Sequence, residues 1–95
     1  MKKETFKKMM EMVGNEFYIV TNIFEGHGVM GVSSYLFKQK NYTSDGKEYG
    51  HFMTINYEDD FVIITYSVRD KLNIETKTFF VPYENILMVY TECSM

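Results

Sequence analysis

Apolar and polar positions alternate with period two through most of the second half of the chain, from residue 52 to residue 90. Val62, Ile64, Tyr66 and Val68 alternate with Phe61, Ile63, Thr65 and Ser67. Alternating runs this rich in Val, Ile, Tyr, Phe and Thr predict β-strands. The pattern places strands at residues 16–24, 29–38, 48–57, 61–69, 72–81 and 86–92. The polar breaks between them are too short for crossover helices, so neighbouring strands are expected to be antiparallel. Pro82 has no N–H for a ladder, which ends the fifth strand and leaves residues 82–85 as a turn or a single 3₁₀ turn. Residues 39–47 form the one extended polar stretch; with Asp45-Gly46 as a tight-turn pair, they read as a long, mobile hairpin connection.

The helical period occurs once. Phe6, Met9, Met10 and Val13 fall on one stripe of a short amphipathic helix at residues 2–13, and Gly14-Asn15 is a stop signal. A helix of about three turns does not persist alone in water, so the stripe must dock. The first strand is apolar on both faces, with Phe17, Ile19 and Ile23 on one and Tyr18, Val20 and Phe24 on the other. Such a strand is expected to be covered on both sides by a helix, a barrel partner or a subunit. Phe6, Met9, Tyr18, Val20 and Phe24 are therefore the candidate interface residues. Gly31, inside the second strand, predicts a bend, a bulge or a close backbone approach.

These elements predict a mainly β fold in a single domain of residues 1–95. Residues 1–14 hold the amphipathic helix and residues 16–92 the antiparallel sheet. The N-terminal helix is followed by a six-stranded antiparallel meander that closes into a small barrel or half-barrel, because closure removes exposed edges.

Composition narrows the function classes. The net charge is −3, and Arg69 is the single arginine. Without a basic stripe the chain has little with which to neutralise a nucleic-acid backbone. The one cysteine, Cys93, permits no intrachain disulfide and fits a reducing, cytoplasmic setting. No run approaches the roughly 20 apolar residues of a membrane span, and no signal peptide is recognised. Heavy use of Lys, one Arg and no Ala suggest a bacterial or phage origin.

Residues able to carry chemistry are few. His27 and His51 are the only histidines, short of the three protein ligands of a catalytic zinc or the four of a structural one. His27 sits in a glycine turn, and His51 shares a strand face with Met53 and Ile55, where a satisfied, partly buried imidazole is expected. Glu58-Asp59-Asp60 lacks the alternating ligand loop of a calcium site. No catalytic residue, metal or cofactor is expected.

Two segments carry a resemblance. Residues 25–31, Glu-Gly-His-Gly-Val-Met-Gly, and residues 81–90, Val-Pro-Tyr-Glu-Asn-Ile-Leu-Met-Val-Tyr, resemble the acidic-Gly turn and the closing strand–turn–strand of the Sm-like small β-barrels. The family's Asp-x-apolar-Asn signature is absent after the second strand, where Lys38-Gln39-Lys40-Asn41 stands. A bacterial pleckstrin-homology-like half-barrel is also similar in its Pro-Tyr-x-x-Ile turn. The Sm-like resemblance implies a ring-forming oligomer with RNA or nucleotide contacts from two turns; His27, Tyr83 and Asn85 are then the candidate ligand-binding residues. The residues themselves point first to a small non-enzymatic interaction protein, a homo-oligomer or a regulator that targets another protein. The Sm-like ring is the alternative, and the charge does not favour it.

Overall fold

The computed structural model describes residues 1–25 and 28–92, with side chains for all of these except 23–25 and 28–30. His27 and Cys93 lie outside the described residues, as does the side chain of Phe24. The chain is mainly β, with one short helix first. Helix α1 spans Lys3–Met10. It is followed by β1 (Glu16–Glu25), β2 (Gly28–Lys38), β3 (Lys40–Ser44), β4 (Lys47–Tyr57), β5 (Phe61–Arg69) and β6 (Ile74–Pro82). A 3₁₀ turn at Tyr83–Asn85 leads into β7 (Ile86–Tyr90).

The strands form two antiparallel sheets rather than one meander, in the orders β2-β1-β7 and β3-β4-β5-β6. Among the described residues the sheets do not join into a closed barrel. Gln39 marks the break. Its backbone N–H donates to the Asn15 carbonyl at 2.7 Å, and its side-chain carbonyl accepts the Met53 N–H at 2.6 Å. A side chain thus occupies the β4 position where a continuous neighbouring strand would have bonded.

The second correction is β3. Residues 39–47 do not form a long loop: Lys40–Ser44 pairs with β4 across the Asp45-Gly46 turn, whose residues have φ of 54° and 76°. Two successive positive φ values suit the right-handed twist of a tight hairpin. The polar side chains are compatible with a strand here because β3 is an edge that is mostly exposed. The strand count is therefore seven instead of six.

The sheets pack face to face. Phe17, Ile19, Phe37 and Ile86 from one sheet meet Val62 and Ile64 from the other in a buried cluster. The Phe37 ring lies 5.3 Å from that of Phe79 and 5.8 Å from that of Tyr66, both edge to face. Helix α1 inserts Phe6 between Tyr57 and Tyr83, at ring separations of 6.0 and 5.8 Å. Met10 and Val13 pack on the same cluster, so the predicted stripe docks on the chain's own core. The helix ends at Met10, three residues short of the expected 2–13, and Gly14, with φ of 72°, lies in the turns that follow rather than at the helix end. The β1–β2 register shifts between Ile23 and Phe24, beside Gly31.

Candidate interaction surface

The buried face of β1 carries Phe17, Ile19 and Thr21. Side chains alternate along a strand, so Tyr18 and Val20 stand on its outer face. Register extends this face into two cross-strand rows: Leu36, Tyr18 and Tyr90 in one, Ser34, Val20 and Met88 in the next. The rings of Tyr18 and Tyr90 stack 4.7 Å apart and within 6° of parallel. Val32 lies opposite Asn22 at the far end and is 60% exposed. A register shift between Val20 and Thr21 leaves Leu87 as an extra residue in β7, and Leu87 and Met88 are both exposed.

No position in these rows is charged. Charge begins at the border, where Lys38 meets Glu16 at 3.8 Å. Partial desolvation, then the negative charge of Glu92, raises the Tyr18 phenol above its ordinary value. An apolar, aromatic patch inside a polar rim is the anatomy of a protein–protein contact.

The expected interface residues separate here. Tyr18 and Val20 lie together on the patch. Phe6 is wholly buried within the fold, so its contacts are internal. Met9 is half-buried on α1.

Tyr83 is also an internal residue. It is buried, its ring faces Phe6, and its hydroxyl donates to the Glu58 carbonyl at 2.8 Å. These contacts engage both its ring and its hydroxyl. Asn85 is half-buried and borders a small cavity of about 190 Å³ with Thr21, Tyr35 and Phe79.

The second sheet has its own outer face. Thr54, Thr65 and Thr78 form one cross-strand row, and Phe52, Ser67 and Thr76 the next. The Ser67 and Thr76 hydroxyls are hydrogen-bonded at 3.0 Å. A wider cleft of about 730 Å³ lies between the start of the chain and the 3₁₀ turn. It mixes Lys2 and Lys3 with Asp59, Asp60 and Glu84 and has no single sign of charge. Among the described residues, no three His, Cys, Asp or Glu side chains gather in a metal-ligating group, and no helix is long and apolar enough to cross a membrane.

His51 is half-buried, and its Nδ1 is hydrogen-bonded to the Tyr66 hydroxyl at 2.6 Å. This is the satisfied imidazole expected from its strand face. Burial raises the phenols of Tyr66, Tyr57 and Tyr83, with Glu16 adding to the effect at Tyr66. The fold therefore holds these protons more tightly than the unfolded chain. Their contribution is intact below the ordinary value of 10.0 and is lost as pH rises through the folded values. The melting temperature is accordingly expected to fall as pH rises above about 10. Thermal melts paired with phenolate absorbance check this. A flat melting temperature across that range would mean that the phenols titrate as free ones do.

Comparison of the chain with protein-family models, with curated proteins and with solved structures returns no match.

Proposed function

We propose that this chain is a small non-enzymatic interaction protein that acts by self-association or by holding another protein. The observation that carries the reading is the charge-free outer face of the three-stranded sheet, built from Tyr18, Val20, Leu36, Met88 and Tyr90. Covering apolar surface contributes about 25 cal/mol per Å² removed from water. The stacked Tyr18–Tyr90 pair adds rigid aromatic area with polar tips, the side-chain type enriched at interfaces.

The test is a Leu36→Lys/Met88→Lys double variant. Met88 is half exposed and Leu36 about a third, so the loss of stability is expected to be about 1 kcal/mol, which leaves the fold intact, and circular dichroism checks this. Association should be lost. Native mass spectrometry of protein purified gently from its host, before and after the change, reads the outcome. A variant that retains the native set of complexes removes this face as the interface.

A second reading is an Sm-like ring that binds RNA or a small nucleotide. It draws on the order of elements: a helix first, a 3₁₀ turn before the final strand, and that strand beside the first. Asn85, at its small cavity, is the candidate contact that retains access. The same spectra test this reading, because it requires a ring that carries the added mass of bound nucleotides. The net charge of −3 weighs toward the protein-binding reading.

A further inference from the structure

We propose that two copies of this chain join through β6, antiparallel about a two-fold axis at Thr76, so that their two four-stranded sheets become one of eight strands. The proposal deepens the self-association reading above and rests on it, but it uses a different surface.

The first observation is a free edge of the right kind. β6 is the last strand of its sheet, nine residues long, and pairs with β5 without a register shift. Both ladders of the other sheet contain shifts, and β3 has only five residues. Bulges and short length are ways of blunting an edge, and β6 has neither. At the two ends of the β5–β6 hairpin, the Asp70 N–H donates to Asn73 O and the Tyr83 N–H donates to Asp60 O. Bonded pairs alternate along an antiparallel ladder. The odd-numbered residues of β6 therefore bond β5, while Ile74, Thr76, Thr78 and Phe80 turn their backbone groups outward. Pro82, which lacks an N–H, falls on this outward side at the strand's end.

The second observation is self-complementary charge. Residues 74–78 are all exposed, and Thr76 is their centre. Antiparallel pairing about Thr76 places Glu75 opposite the second copy's Lys77, and Lys77 opposite its Glu75. These are non-hydrogen-bonded pairs, the positions where cross-strand side chains stand closest. Among the described residues neither Glu75 nor Lys77 has an ion-pair partner within its own chain. Thr76 then bonds Thr76 of the second copy, and Ile74 bonds its Thr78. A register centred on Thr78 would instead set Lys77 against Phe79 and Glu75 against Val81.

The third observation is apolar cover. Leu72 is 97% exposed and Phe80 is 65% exposed. Leu72 lies in the turn that precedes β6, and the register centred on Thr76 ends with Phe80 of each copy beside that turn of the other. One alignment thus satisfies the backbone edge, the charges and the two most exposed large apolar residues of this hairpin.

The experiment compares Glu75→Lys, Lys77→Glu and the Glu75→Lys/Lys77→Glu exchange by light scattering after size exclusion and by native mass spectrometry. The native chain is expected to be a dimer. Each single reversal replaces two attractive pairs by two repulsive ones and should weaken the dimer roughly tenfold or more. An equimolar mixture of the two single variants should recover a dimer containing one of each, and the exchange variant should behave as native. Circular dichroism confirms that these exposed changes leave the fold intact. The proposal is overturned if the single variants dimerise like the native chain, or if mixing them recovers nothing. If association ignores these charges but is abolished by Leu36→Lys/Met88→Lys, the self-association reading stands and the β6 pairing fails. If the native chain is monomeric, with the charges acting only to guard the edge, both fail.

Discussion

Phe6→Ala is expected to lower stability by about 3–5 kcal/mol, the range for removing a fully buried aromatic ring. The ring is wholly inaccessible and is the one fully buried side chain of α1. It lies between Tyr57 and Tyr83, which come from different elements, so its loss opens a cavity at the meeting point of β4 and the 3₁₀ turn. An eight-residue helix has no independent stability to offset this. Against a typical total of about 5–15 kcal/mol, the variant retains a small margin or unfolds. Denaturant titration measures the loss, and fluorescence of the newly exposed tyrosines follows it. A loss below about 1 kcal/mol would mean that the sheets hold together without α1.

The second large effect is expected at Gly50, which pairs with Asn41 near the open end of the β3–β4 ladder. Its φ is 115°, a conformation that side chains disfavour. A Cβ added there would stand 2.8 Å from Asn41 Cα and press into the Lys40 carbonyl. Those are backbone atoms and yield only if the strand moves. Gly50→Ala should therefore cost about 3 kcal/mol and displace β3 from β4. Hydrogen exchange separates the local effect from the global one: protection should disappear across Lys40–Ser44 while amides of β1 keep theirs. Native stability together with unchanged protection in β3 would show that the edge strand accommodates the methyl group freely. The expected result connects to function through shape, because β3 extends the sheet whose opposite edge is β6.

Much of this architecture is legible residue by residue. The period-two runs place β1, β2, β4, β5, β6 and β7 to within a few residues, and of the stripe Phe6, Met9, Met10 and Val13, Phe6 and Met10 dock from α1 and Val13 from the turn after it. Pro82 ends β6, and the 3₁₀ turn follows where the sequence allows one. β3 is hidden in the pattern because it is an edge with no core face, so its side chains have no reason to alternate. Its signal is Asp45-Gly46, which specifies a two-residue hairpin turn and hence strands that begin at once on both sides. Gly50 is a further signal, a glycine in a strand where another backbone comes close.

The candidate surface is legible only in part. The two-faced β1 marks Tyr18 and Val20 as residues in need of cover, but of their neighbours only Leu36 is on the next strand, while Met88 and Tyr90 come from the far end of the chain. Tyr83 has the sequence context of an exposed turn and is buried because Phe6, from the opposite end of the chain, covers it. β6 shows the same limit. Alternation separates Ile74 and Phe80 from Phe79 without saying which face is inside. The β5 register decides it by setting Phe79 opposite the buried Ile64, which leaves Ile74 and Phe80 outside.

Six of the seven strands, the helix and the antiparallel sense are legible in the chain itself, because backbone period and turn chemistry act between near neighbours. The split into two sheets, the buried role of Tyr83, the uncovered face around Tyr18 and the free edge of β6 emerge in the folded chain alone. Each of these depends on which distant residues meet, and alternation along a strand is the same whether a face is covered or bare.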